Sequence, residues 1–180
     1  MILSYDQCIE KYDSDYQIKK QLSGGSLFKL IPGFYSDTKY VSELELITLR
    51  FPKAKFTMNS AFYYHSLTDV IPQKYYLATD KDAAKISAPQ IVQVFVPEGI
   101  FKLGSQRINY EGTEINIYSK ERMLIEAVRN KNKMPYDYYK EIIAHYRENI
   151  DELDIQTIQE YAEIFPRSRV ITERLRSEVF

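Results

Sequence analysis

Cysteine is almost missing from this chain: Cys8 is the only one. No intrachain disulfide can form, and no cluster of thiolates can hold a metal. No stretch approaches the roughly 18 consecutive apolar residues of a membrane span. A secretory leader opens on basic residues followed by an apolar run, whereas Met1-Ile2-Leu3-Ser4-Tyr5-Asp6 reaches an acid at once. The expected location is therefore a reducing cytoplasm, with no membrane attachment. An excess of positive charge is also lacking. The formal net charge is −1, so any attraction to nucleic acid must come from a local patch.

Catalytic signatures are equally scarce. GxGxxG, the P-loop, HExxH and GxSxG do not occur. Gly24-Gly25-Ser26 is too short to cradle phosphate and reads as a helix stop before a strand. A polymerase-type nucleotidyltransferase needs a Gly-Ser pair leading into paired strand aspartates for Mg²⁺, but Gly25-Ser26 leads into an acid-free strand. His65 with Asp69, four residues on and beside Ser66, would make a base and its orienter in a hydrolase. Without a strained nucleophile turn, His65 is more simply a helix-end residue. Glu121, Arg122, Glu126, Arg129, Lys131 and Lys133 read as the solvated face of a helix. The expectation is a protein that is not an enzyme, with no catalytic residue, metal or cofactor.

What is present is enough apolar surface for a real core, at 44% of 180 residues. There are 16 tyrosines and no tryptophan, which favours half-buried rings whose hydroxyls stay wet. Tyr5, Cys8, Ile9 and Tyr12 have helical spacing, and Asp13-Ser14-Asp15 interrupts it. Ser14 or Asp15 caps a second helix with Tyr16, Ile18 and Leu22 as its apolar residues, and Gly24-Gly25 ends it. Leu27 to Ile31 reads as a strand, Pro32-Gly33 as a turn, and Phe34-Tyr35 as a return strand.

Further on, a helix is expected from Lys39 to Phe51, then a strand over 55–58 and a helix capped by Asn59 or Ser60. Strands over 74–79 and 91–96 follow, with a short helix over 80–86 between them and a hairpin over 107–118 turning at Glu111-Gly112. Four helices complete the chain. They start near Ser119, Pro135, Asp151 or Asp154, and Ser168, and the second should turn Tyr138, Tyr139, Ile142 and Ile143 inward. The fold class is α+β: a trimmed N-terminal winged helix-turn-helix, then a mixed domain with a small sheet and a helical C-terminal part. The boundary is expected at Ser36-Asp37-Thr38, giving a module over 1–37 and a domain over 38–180, its sheet at about 54–118 and its helical end at about 119–180.

Helix, turn, helix and hairpin is the layout of a minimal winged helix, whose second helix enters the major groove of DNA. That helix offers Gln17, Lys19, Lys20 and Gln21, and the wing offers Lys29. Lysines contact phosphates, and glutamine can read an adenine edge. Asp6, Glu10, Asp13 and Asp15 offset the lysines, so a second reading stays open: a non-catalytic interaction module whose winged helix is structural or binds protein.

Three segments carry a family resemblance. Ala61 to Pro72, followed by Tyr75-Tyr76-Leu77-Ala78-Thr79, resembles the "A…HGLTD…IP…vylAT" signature of AbiEi-type antitoxins. Ile117 to Glu126 is similar to that family's "iYsperTLiD" segment, and Gly25 to Tyr35 to its "G.L.ri.rGvY" wing. The matches keep the family's order and span most of residues 5 to about 150. Ser66 stands where the family has glycine, and the N-terminal module is short. The resemblance implies an antitoxin of a type IV toxin–antitoxin system that represses its own promoter by binding double-stranded DNA. It also implies a functional link to a nucleotidyltransferase-like toxin, without a stable complex and without catalytic residues carried over.

Overall fold

The computed structural model describes all 180 residues, which form two compact units, Met1–Arg50 and Phe51–Phe180. The division falls after the expected Ser36-Asp37-Thr38. Those residues are tied into the first unit rather than acting as a linker. The amino terminus meets Asp37 at 2.6 Å, and the Ser36 hydroxyl lies 3.1 Å from that of Thr38.

The first unit is built from β1 (Ile2–Ser4), α1 (Tyr5–Tyr12), α2 (Asp15–Ser23), β2 (Phe28–Ile31), β3 (Phe34–Ser36) and α3 (Glu43–Arg50). β1 is too short to show a period and was not expected. It pairs antiparallel with β3, which also pairs with β2, so the sheet order is β1-β3-β2. Ser4 ends β1 and caps α1 reciprocally: its hydroxyl accepts from Gln7 N–H at 3.3 Å, and Gln7 Oε1 accepts from Ser4 N–H at 2.8 Å. Asp13 takes a left-handed conformation (φ 66°), and Ser14 caps α2 through Gln17 N–H. The core is Leu3, Cys8, Ile18, Leu27 and Tyr35, with Ile9, Tyr12 and Leu22 packed against it. Tyr16, one of the three apolar residues of α2, is 73% exposed, because Ile18 and Leu22 hold the opposite side of the helix.

The second unit carries β4 (Lys55–Phe56), α4 (Met58–Tyr64), β5 (Tyr75–Asp80), β6 (Ile91–Val96), α5 (Glu98–Phe101), β7 (Ser105–Tyr110) and β8 (Thr113–Tyr118). The helices α6 (Lys120–Asn130), α7 (Tyr136–Glu148), α8 (Ile155–Ile164) and α9 (Ser168–Glu178) follow. Its sheet has the order β6-β5-β4-β8-β7, mixing parallel and antiparallel pairs. The hairpin turns at Glu111-Gly112 as expected, both at positive φ. No helix forms over 80–86. Asp80 Oδ1 instead accepts from Asp82 N–H, and the Gln93 side chain bonds Ile86 N–H and Ala84 C=O. Thr57, not Asn59 or Ser60, begins α4. Tyr139, Ile142 and Ile143 are buried as expected, and Tyr138 is partly so.

α6 is the central helix, buried continuously from Arg122 to Val128 and packed against α4, α7, α8 and α9. Arg122 and Glu126, expected on a solvated face, are 0% and 8% exposed. Arg122 donates to Glu126 Oε1 from Nε and Nη2, at 3.2 and 2.8 Å. Its Nη1 donates to the carbonyls of Ile100 and Leu103, at 2.6 and 2.9 Å. The guanidinium also stacks over Tyr118 and Phe165, at 4.3 and 4.4 Å from the ring centres. Gly104 permits this approach. It sits at φ +70°, and a Cβ there would lie 2.5 Å from that of Arg122.

α4 ends at His65 in a left-handed cap. Leu67 N–H bonds Phe62 C=O and Ser66 N–H bonds Tyr63 C=O, with Ser66 at φ 56°. A residue with a Cβ is strained there, whereas glycine adopts that backbone freely.

Two stability predictions follow from these sites. Removing one partner of a buried ion pair costs about 3–5 kcal/mol. Arg122→Met should therefore lower unfolding free energy by about that much in a urea titration followed by circular dichroism. Lysine at 122 should not restore it, since one ammonium cannot replace the planar fork; a loss under about 1 kcal/mol would contradict the role assigned to Arg122. Ser66→Gly should stabilise by about 1 kcal/mol, because left-handed backbone costs roughly 1–2 kcal/mol for residues other than glycine. An unchanged or lower melting temperature would show that the Ser66 side chain outweighs the strain.

Candidate functional site

The layout β1-α1-α2-β2-β3 places α2 as the second helix of a helix-turn-helix and β2–β3 as its hairpin. The Asp13-Ser14 turn sets the two helices at an angle, and Ile18 anchors α2 to the core at 1% exposure. At 100° per residue, Lys19, Tyr16, Lys20 and Gln17 spread over the arc opposite Ile18 and Leu22. All four are exposed, while Gln21 at the margin is half-buried. Lys29 is exposed on β2, opposite Tyr35 in register. The structure thus brings Gln17, Lys19 and Lys20 onto one helical surface, with Gln21 at its edge and Lys29 on the neighbouring hairpin. Tyr16, missed as a surface residue, shares that arc and adds a ring able to pack on a sugar or base.

Electrostatics temper this surface. Residues 1–37 hold four lysines against five acids. Asp15 Oδ2 pairs with Lys19 Nζ at 2.7 Å, one helical turn apart. That hydrogen bond holds the Lys19 ammonium above its ordinary pKa, with the charge of Asp15 adding to it. Both partners are largely exposed, so the bridge contributes little stability, yet it occupies a cation that a phosphate would need. Lys20 and Lys29 are exposed and take part in no ion pair.

His65, Thr68 and Asp69 are held by hydrogen bonds in which one partner is a backbone group. His65 Nε2 lies 2.7 Å from the Tyr118 carbonyl, so that nitrogen carries the proton and donates. Burial pushes the His65 imidazole below its ordinary pKa, and the Tyr118 carbonyl partly opposes this. Asp69 is exposed and directs its backbone N–H to Glu141 at 3.2 Å. Thr68 is buried and its hydroxyl accepts from Val70 N–H at 3.1 Å, a local turn. His65 is therefore oriented by Tyr118, not by the Asp69 considered from sequence. Tyr118, Arg122 and Glu126, at the end of β8 and on α6, form the buried cluster described above. Their residue types alone could not announce burial, but seven consecutive core positions on α6 leave a charged pair nowhere else to go.

No helix of the chain is long and apolar enough to cross a membrane. No family model matches this sequence, and no curated relative does either. Among solved structures, the chain is similar to the crystal structure of the RV2827C protein from Mycobacterium tuberculosis. The TM-score is 0.68 at 13% identity, over 99% of this chain and 72% of that one. At that identity the likeness extends to the fold.

If the α2 arc contacts the phosphate backbone, freeing Lys19 should strengthen binding to any duplex. Asp15→Asn should raise affinity a few-fold at low salt. Lys19→Ala/Lys20→Ala should lower it and flatten the salt dependence by about 0.9 in log–log slope for each lost contact. Fluorescence anisotropy with a labelled duplex at two salt concentrations checks both. Equal affinities for all three proteins would remove α2 from the interface.

Proposed function

We propose that this chain is an AbiEi-like antitoxin and transcriptional autorepressor, whose first unit binds promoter DNA. The observation that carries the reading is the helix-turn-helix with its hairpin, presenting Gln17, Lys19 and Lys20 on the exposed arc of α2. In this mode Lys19, Lys20 and Lys29 neutralise phosphates, while Gln17 and Gln21 face base edges in the major groove. Placement of the signature segments supports the family reading. The glycine position of the signature is left-handed at Ser66, and its arginine and acid correspond to the buried pair Arg122 and Glu126. The partner implied for the second unit is a nucleotidyltransferase-like toxin, countered without a stable complex, in the cytoplasm.

A second reading has an observation of its own. The acid balance of the first unit and the Asp15–Lys19 bridge favour a protein-binding or structural head. A reporter fused to the upstream region of the chain's own coding sequence separates the two. The DNA-binding reading expects repression by the intact chain and loss of repression in Gln17→Ala/Gln21→Ala, with random-sequence affinity little changed. Co-expression with a nucleotidyltransferase encoded alongside should restore growth without co-purification. Reporter output indifferent to the protein would leave the interaction module as the better account.

A further inference from the structure

A cleft of about 820 Å³ opens in the second unit, on one face of the β5–β6 end of the sheet. Strand alternation puts Tyr76 and Val94 on that face, and both line the cleft. Val70, another lining residue, flanks them at 51% exposure, so apolar surface here is left open to water. The volume lies within the roughly 300–1,000 Å³ common to small-molecule sites.

The charges lining the cleft are Glu126, Arg129 and Lys133. Glu126 is already neutralised from within: its Oε1 accepts two bonds from the fully buried Arg122. Its Oε2 accepts from Arg129 at 3.0 Å and from the Asn130 amide at 3.2 Å. One carboxylate therefore meets two guanidinium groups, and Lys133 has no acidic partner. The cleft is left with an excess of positive charge beside apolar walls. Tyr138, another lining residue, carries a buried hydroxyl with no hydrogen-bond partner. A polar atom brought near it on binding would relieve that desolvation.

We infer that this cleft binds a small amphiphilic anion. Its apolar body rests on Tyr76, Val94 and Val70, and its phosphate or carboxylate head meets Arg129 and Lys133. Glu126 takes no part as an acceptor, because Arg122 and Arg129 occupy both of its oxygens. Arg129 is held in place by that same carboxylate and by stacking over Phe165 at 4.6 Å, so the cationic edge is pre-organised. The inference is independent of what the first unit binds.

Isothermal titration calorimetry on the intact chain tests it, with 1-naphthyl phosphate and 1-naphthoate as probes for the two head groups. Neutral 1-naphthol and inorganic phosphate serve as the half-ligands. Lys133→Glu and Val70→Ser replace exposed side chains, and equal melting temperatures confirm that both variants are folded. The expected result is saturable one-to-one binding of at least one amphiphilic anion. Affinity should fall about tenfold or more in each variant, with each half-ligand weaker by a similar factor. The phosphate and carboxylate arms then say which head the site prefers. No saturable binding of either anion at millimolar concentration would overturn the proposal. So would unchanged affinity in Lys133→Glu, or 1-naphthol binding as tightly as its phosphate.

Discussion

A guanidinium can be taken out of water only when its donors are met, and the second unit is arranged around doing this for Arg122. Two of its hydrogen bonds go to Glu126 on the same helix, and two go to carbonyls of the segment joining β6 to β7. Each requirement constrains something else. The carbonyls of Ile100 and Leu103 must point inward, which the short α5 and the turn at Gly104 achieve. The rings of Tyr118 and Phe165 must both lie against the guanidinium, which fixes the end of β8 and the end of α8 against α6. Such a network adds less net stability than an apolar core of equal volume. It does penalise any packing in which one partner is displaced.

The far end of α6 is tied down by the same logic. Arg174 of α9 donates to the Val128 carbonyl, and Glu178 accepts from both Lys131 and the Tyr139 hydroxyl. The last helix thereby closes over the central one through polar contacts as well as through Ile171 and Leu175. Charge that reads from sequence as a solvated stripe is largely spent in holding α6, α7 and α9 together. Lys133, which has no acidic partner, edges the open cleft on the sheet beside the Glu126-bound Arg129.

Period and punctuation made most of the elements legible. Ser14, Ser119 and Asp154 cap helices where their residue types predict, and Glu111-Gly112 turns the hairpin with the positive φ that the pair suits. The misses have physical reasons. β1 has three residues, and only its pairing with β3 makes it a strand. Residues 80–86 have helical composition, but the side chains of Asp80 and Gln93 satisfy their backbone in another shape. Tyr16 is apolar in type but faces water, because Ile18 and Leu22 define the buried side of that helix. In the candidate DNA surface, the residue types were legible and the Asp15–Lys19 bridge follows from i, i+4 spacing. The cleft was not legible, because its walls come from strands and helices far apart in the chain.

The first unit is small, and its core of Leu3, Cys8, Ile18, Leu27 and Tyr35 exists to fix one helix and one hairpin on a three-stranded sheet. Binding to its own promoter is the claim on which the functional account turns. Footprinting with hydroxyl radicals tests it most directly, using the intact chain and the DNA immediately upstream of its coding sequence. The account predicts a bounded protected stretch there, which persists in excess random duplex and fades as salt is raised. Uniform cleavage across that DNA, at protein concentrations up to those that coat any duplex, would contradict it.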